Sequence, residues 1–311
     1  MDLDIGTFLR SERLPAEYRG QIDAFWTDLA RAIVAWRSSA GAPIVIGICG
    51  AQGSGKSTLA KLLKLLIEGD GTWRAEYLSL DDLYLSHAER LRLATDVHPL
   101  LATRGVPGTH DVALGIRTID ALTSGDAGTS VALPSFDKST DDRVAPSLWS
   151  QVSAPVDIIL FEGWCVGALP QSDESLADPI NALERDEDGD GHWRGYVNEQ
   201  LAGPYRTLFD RLDHLVYLKA PDFAAVRRWR GIQESKLQEA VATSIRADGA
   251  SGVMNDAALD RFLLFYERIT QHLFDTMAGH ADTTYLLDDD QKVARRIDNR
   301  PPPSPSPDAA A

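Results

Sequence analysis

The chain has 311 residues, 44% of them hydrophobic and 25% charged, enough for one large buried core or two modest ones and unlike a fibre or a fully disordered chain. Its formal net charge is -15, from 46 acidic and 31 basic residues, so wrapping a long nucleic acid would need a strong local basic patch. Only short clusters of Arg and Lys occur, and no nucleic-acid partner is predicted.

In chain order, Ile22, Phe25, Trp26, Leu29, Ile33 and Trp36 recur at three- and four-residue spacings within 18–37. They predict an amphipathic helix that closes the protein's own core. The run IVIGIC at 44–49 is apolar without alternation, as in a central parallel strand buried on both faces. A glycine-rich turn follows, then a helix from about Lys56 to Glu68. A second strand is predicted at 75–80, ending in the polar cluster Asp81, Asp82 and Tyr84. Beyond a Gly/Pro-rich loop, a helix near 110–122 is capped by Thr109 or Asp111. Residues 131–149 read as an ordered excursion between apolar anchors.

VDIILFEG at 156–163 is a third buried strand ending in an acid, and HLVYLKAP at 214–221 is a fourth. Between them, 171–191 holds eight acids and reads as an exposed, mobile loop. Its D-E-D-G-D-G stretch lacks the ligand spacing and closing Glu of a calcium loop. A helix over 222–240 carries Arg227, Arg228, Arg230 and Lys236. Another over 256–277 buries Leu259, Phe262, Leu263, Tyr266, Ile269 and Leu273, and 282–290 ends as an edge strand. The proline-rich tail is predicted to be disordered.

Cys49 and Cys165 close two apolar runs and suit a reducing compartment, so a cytoplasmic location is predicted. The N-terminus shows no secretory signal pattern. No apolar stretch approaches the roughly 20 residues of a membrane span, so no membrane partner is predicted. Nothing in the sequence specifies an oligomeric state.

The pattern GxxxxGK[ST] is matched at Gly50, Gly55, Lys56 and Ser57, between a buried strand and a helix. Gln52, Gly53 and Ser54 complete the loop, and Thr58 follows it. Glycines let the backbone curl until several N–H groups face one anion, and the helix N-terminus adds partial positive charge. Lys56 is placed to reach the β- and γ-phosphates, and the Ser57 hydroxyl to ligate Mg²⁺. ATP and Mg²⁺ are therefore the predicted cofactors.

Glu162 emerges at the carboxyl end of a central strand, the edge where open α/β sheets bind ligands. It is the second candidate metal ligand, with a strand-end cap as its plainer role. Asp81, the first residue beyond the second strand, is the candidate base that receives or orients an acceptor hydroxyl. Asp82 is as well suited to capping. The candidate catalytic set is Asp81, Lys56 and Glu162.

The cluster 227–236 reads either as a lid that brings positive charge to the phosphoryl group or as a solvated helix face, and Arg227 and Arg230 are carried as nucleotide contacts. The excursions 104–111 and 136–143 contribute Arg104, His110, Asp137, Lys138 and Arg143. With Asp82 and Tyr84 they form a candidate acceptor site for a small anionic or polyol substrate.

The ordered segments GAQGSGKST, SLDDLYL, RGVPGTHD, PSFDKSTDDR, FEGWCVG, WRGYVN and FYERIT together resemble the D-glycerate 3-kinase family. That family is of the phosphoribulokinase, uridine kinase and pantothenate kinase type of P-loop kinases. The resemblance runs from about residue 44 to 290. It implies a three-layer α/β P-loop NTPase fold, with a parallel five-stranded sheet flanked by helices. It implies ATP-dependent phosphorylation of D-glycerate to 3-phospho-D-glycerate, with Asp81 as base.

One departure concerns the acceptor side. The plant enzymes carry a longer glycine-containing insert between the FDKS and DR segments, whereas only Thr140 and Asp141 separate Ser139 from Asp142 here. A switch or transporter NTPase is disfavoured, because the chain lacks a DxxG plus NKxD pair and an LSGGQ-like segment. The alternatives are a kinase of another small hydroxy acid, a nucleoside or a pantothenate-like acceptor, or a non-catalytic nucleotide-binding regulator.

The expected organisation is an N-terminal helical extension over 1–40 packed on the core and a kinase domain over 41–298. That domain carries acceptor-side insertions around 96–149 and an acidic loop around 171–191. A disordered tail occupies 299–311.

Overall fold

The computed structural model describes residues 4–243 and 255–300, with only the backbone path given for 236–243. Six strands form the central sheet: β1 Ile44–Gly50, β2 Ala75–Ser79, β3 Ile158–Gly163, β4 His214–Lys219, β5 Thr283–Leu287 and β6 Val293–Asp298. Their order is β6-β5-β4-β1-β3-β2. The first five pair in parallel, and β6 runs antiparallel to β5.

The five-stranded parallel sheet is thus corrected to a six-stranded mixed one, and β5 is not the edge. The sequence VARRID hides β6 because Val293 is buried while the next two residues are exposed. A charged edge strand resists pairing with other chains, and it carries little apolar signal.

Alternate residues of β1 serve opposite faces, as the two-residue period of a strand requires. Ile44, Ile46 and Ile48 join one apolar cluster, Val45 and Cys49 the other. On the first face lie α1 (Thr27–Ala40) and α2 (Lys56–Ile67). The predicted helix over 18–37 is continuous to Ala40, with a π turn at Ile22–Trp26. Ile22, Trp26, Leu29, Ile33 and Trp36 are buried in the cluster that holds β1 and Leu160, while Phe25 packs at its margin. The second face is covered by α3 (Val112–Ser124), residues 192–209 and α5 (Asp256–His280), whose Phe265, Tyr266, Ile269 and Leu273 are buried there. Asp111, not Thr109, caps α3, its carboxylate accepting the Leu114 N–H at 2.9 Å.

Between α3 and β3 the chain makes two short antiparallel ribbons, Ser130–Leu133 with Ser150–Ser153 and Phe136–Asp137 with Asp142–Arg143. The helix α4 (Phe223–Thr243) follows β4. The Lys236 side chain and the tail from 301 lie outside the described residues.

The acidic segment is more ordered than its composition suggested. It forms two short helices, Asp173–Ala177 and Ala182–Glu187, and Glu184 and Asp188 are buried. Arg268 binds Glu184 at 2.7 and 2.6 Å, and Arg194 binds Asp188 at 2.9 Å. Guanidiniums from later helices neutralise both acids, a pairing that local composition does not reveal. Among the described residues no helix is long and apolar enough to cross a membrane.

Candidate active site

Strand β1 delivers the chain to the phosphate loop at Gly50, and α2 begins directly after Gly55. Gly55 has a φ of +85° and caps α2 with no side-chain hydrogen bond, which leaves the first-turn N–H groups without a side-chain acceptor. Gly53 has a φ of +79°, and a methyl added there would lie 2.7 Å from Trp229 Cβ. The loop is therefore backed tightly by α4. Gln291 Nε2 also donates to the Gly53 carbonyl at 2.6 Å. Among the described residues, Ser54 Oγ and Gln52 Oε1 are buried without hydrogen-bond partners and no acid pairs with Lys56. The helix N-terminus, the Ser54 hydroxyl as donor and an unpaired cation around a curled backbone fit a polyphosphate, whereas the Gln52 amide oxygen is an acceptor and calls for a donor.

The parallel register sets Ser79 of β2 opposite Glu162 of β3. The hydroxyls of Ser79 and Ser57 both donate to Glu162 Oε1, at 2.8 and 2.7 Å. Glu162 is 4% exposed, and among the described residues its Oε2 has no hydrogen-bond partner. An orphaned carboxylate oxygen beside a serine hydroxyl fits Mg²⁺. That ion takes hard oxygen donors from one or two side chains and the rest from water and phosphate.

Asp81 follows β2 in a single 3₁₀ turn, Leu80–Leu83. Its Oδ2 accepts from Lys138 Nζ at 2.5 Å, its Oδ1 from the Tyr84 hydroxyl at 2.9 Å. Burial would raise the Asp81 carboxyl, but Lys138 and Lys56, with the hydrogen bonds from Lys138 and Tyr84, outweigh it and hold it well below the ordinary range. Asp82 is different. Burial pushes it up to about 6 against the opposing hydrogen bond from the Phe136 N–H at 3.1 Å, with the charge of Asp81 adding to the rise. Its contact is with the ribbon.

The Tyr84 ring stacks on His110 at 4.4 Å between centroids. Burial lowers His110 to about 3, so the ring is neutral at ordinary pH. The Tyr205 hydroxyl accepts the Gly108 N–H at 3.0 Å and lies 2.5 Å from His110 Nδ1. His110 Nε2 is buried and has no hydrogen-bond partner among the described residues.

Other expected acceptor contacts face the ribbon itself. Arg143 binds the Tyr84 carbonyl through Nε and NH2 at 3.3 and 2.9 Å and reaches Asp111 at 3.4 Å. Asp137 Oδ1 accepts the N–H and hydroxyl of Ser139, at 2.8 and 2.6 Å. Arg104 pairs with Asp141 and lies 5.5 Å over the Phe136 ring.

In the basic cluster, Arg227 is bidentate to Asp260 at 2.7 and 2.6 Å, and Arg228 pairs with Asp289. The Arg230 backbone N lies 3.5 Å from the methyl position at Gly53, and its guanidinium pairs with Glu234 at 2.8 Å. Of the described cations on α4, Arg230 is the one placed against the phosphate loop by backbone contact. The exposed Arg227 pair is worth at most about 1 kcal/mol and holds its guanidinium weakly.

Sequence reasoning passed over Ser79, Tyr266, Gln291, Arg90 and Asp141. Ser79 carried a signal, as the last polar residue of a strand beside the acid of its neighbour. Tyr266 lay within an apolar helical stripe, and nothing local marks Gln291. A methyl at Gly105, where φ is +137°, would fall 1.9 Å from the Tyr266 hydroxyl, so α5 and the 104–111 loop touch there.

No family model matches the chain. It is 36% identical over 206 residues to the uncharacterized kinase mug58 of Schizosaccharomyces pombe, a stretch covering 64% of this chain and 72% of that protein. It is 31% identical over 256 residues to the chloroplastic D-glycerate 3-kinase of Arabidopsis thaliana, covering 79% of this chain and 52% of that enzyme. The chain thus spans about half the length of the plant protein. The structure of D-glycerate 3-kinase from Cryptococcus neoformans superposes with a TM-score of 0.72 at 24% identity, covering 88% of this chain and 99% of that one, a likeness of fold. Identity at this level across most of the fission-yeast kinase, on a fold whose phosphate loop and strand-end acids meet at one edge, places the chain in the P-loop kinases related to the glycerate, pantothenate and uridine kinases.

Proposed function

We propose that the protein transfers the γ-phosphoryl group of ATP to the primary hydroxyl of D-glycerate, giving 3-phospho-D-glycerate and ADP. The observation that carries this reading is Asp81, a partly exposed carboxylate beside the phosphate loop that is held by a lysine from the acceptor-side ribbon. Similarity to the plant D-glycerate 3-kinase supports glycerate as acceptor.

In this reading Lys56 and the first-turn N–H groups of α2 hold the β- and γ-phosphates. Ser57 and Glu162 would hold Mg²⁺, which when bound neutralises charge on the phosphate oxygens. The acceptor hydroxyl displaces Lys138 from Asp81 and donates its hydrogen bond there. Losing that ammonium makes Asp81 more basic at the moment it must take the proton. Little basicity is needed before then, because phosphoryl transfer passes through a loose transition state and the hydroxyl gives up its proton late. Lys138, once released, is free to pair with the transferring oxygens. Arg230 stands beside the loop and Arg227 within α4 as further cations for those oxygens.

The test is ADP release measured over D-glycerate, other small hydroxy acids, pantothenate and nucleosides. Release that rises with D-glycerate above the other acceptors is expected. A faster rate with a nucleoside or pantothenate would reassign the acceptor, and no acceptor-dependent release would leave only nucleotide binding.

A further inference from the structure

Three basic side chains converge on one carboxylate in the ribbon turn between Asp137 and Asp142. Asp141 Oδ2 accepts from Arg90 NH2 at 2.6 Å and lies 3.2 Å from His87 Nδ1, and its Oδ1 accepts from Arg104 NH1. Asp141 has a φ of +55°, a left-handed conformation that few residue types other than glycine visit and that Asp tolerates. The turn bends the backbone that way and presents the carboxylate to the two guanidiniums.

The two arginines are not equivalent. Arg90 is fully buried and also binds the carbonyls of Leu85 at 2.8 Å, Ala102 at 3.3 Å and Asp141 itself at 3.0 Å. It is anchored whatever the Asp141 carboxylate does. Arg104 is 27% exposed, and among the described residues Asp141 is the only acceptor on its guanidinium. It shares Phe136 as a neighbour with Tyr84, whose ring lies 5.2 Å from Phe136 and whose hydroxyl holds Asp81. The Tyr266 hydroxyl donates to the Arg104 carbonyl at 3.4 Å. The arginine and the tyrosine that holds the expected catalytic carboxylate therefore pack against the same Phe136 ring.

We propose that Asp141 is an internal stand-in for the carboxylate of the acceptor: it occupies Arg104 until a hydroxy acid binds, then yields that guanidinium while staying on Arg90. The exchange replaces one carboxylate by another, so no charge is left unpaired in a partly buried place. A neutral polyol cannot make the exchange, and Arg104 then favours acceptors that carry a carboxylate. The competition also weakens the apparent affinity, because only the fraction of molecules with Arg104 released is ready to bind. This inference rests on the acceptor being a small hydroxy acid.

Calorimetric titration of D-glycerate and of glycerol into the full chain, with Mg²⁺ and a non-hydrolysable ATP analogue, tests it in the wild type, Asp141→Asn and Asp141→Gly. Asn keeps the size and left-handed tolerance without the charge, and Gly removes the side chain while easing the backbone; circular dichroism melts establish that each variant is folded. Both variants are expected to bind D-glycerate about fivefold tighter or better, with glycerol binding unaltered. Unchanged or weaker D-glycerate binding, an equal gain for glycerol, or no carboxylate binding by any of the three overturns the proposal. Tighter D-glycerate binding by the variants, combined with no D-glycerate-dependent ADP release when ATP replaces the analogue, removes the kinase reading and leaves the role of Asp141 standing.

Discussion

Adjacent carboxylates at the end of β2 meet opposite environments, and each difference can be measured. Folding raises Asp82 from 3.8 to about 6, chiefly by burial. The folded chain therefore binds the proton more tightly than the unfolded one, and the ionised group opposes folding above about pH 6. That penalty fades as pH falls through the window toward 4. Asp82→Asn keeps an oxygen for the Phe136 amide and removes the charge. It should melt above the wild type at pH 8, with the gap narrowing toward pH 5; a constant gap would show that Asp82 does not titrate in this window. At Glu162 the orphaned oxygen makes a separate prediction. Glu162→Gln should raise the Mg²⁺ concentration for half-maximal ATP turnover by about tenfold or more, and an unchanged Mg²⁺ profile would remove Glu162 from the metal site. The phosphate loop and both strand-end acids were legible because they follow apolar runs directly. Asp141 was seen only as a spacer, since its partners Arg90 and Arg104 are 51 and 37 residues away.

Strand, loop and helix positions were readable where one period persisted. The helical stripe of 18–37 and the four apolar runs ending near Gly50, Ser79, Glu162 and Lys219 all became elements of the sheet and its first layer. Strand β6 was not readable, because solvent covers much of an edge strand and its arginines obey no apolar pattern. The contact between α4 and the phosphate loop was hidden too, although Gly53 records it. Gly53→Ala places a methyl 2.7 Å from Trp229 Cβ at a φ of +79°. It should lower stability by roughly 1–3 kcal/mol and weaken ATP binding, as read by thermal melting and nucleotide titration. A variant with wild-type melting and affinity would mean that α4 does not press on the loop.

Across the whole molecule, one ion pair distant in sequence and one close in sequence fasten the acidic segment to the helices on the second face of the sheet. Arg268 on α5 reaches back to the buried Glu184, and Arg194 to Asp188, so the acidic segment is tied into the layer that covers the second face of the sheet. Composition alone made that segment look exposed, because a count of acids does not show which meet a guanidinium. Glu184→Gln leaves the Arg268 charge short of its partner and should cost about 3–5 kcal/mol in urea unfolding; a loss below about 1 kcal/mol would mark the pair as energetically idle.

The same long-range folding brings the phosphate loop, the Ser57–Glu162 pair and Asp81 to one edge of the sheet, and the proposed transfer requires all three. The direct test is steady-state turnover of ATP with D-glycerate by Asp81→Asn, with nucleotide affinity measured in parallel. The account predicts a fall in kcat of about 10²–10⁴-fold with ATP affinity close to that of the wild type. A variant that turns over at the wild-type rate would contradict it.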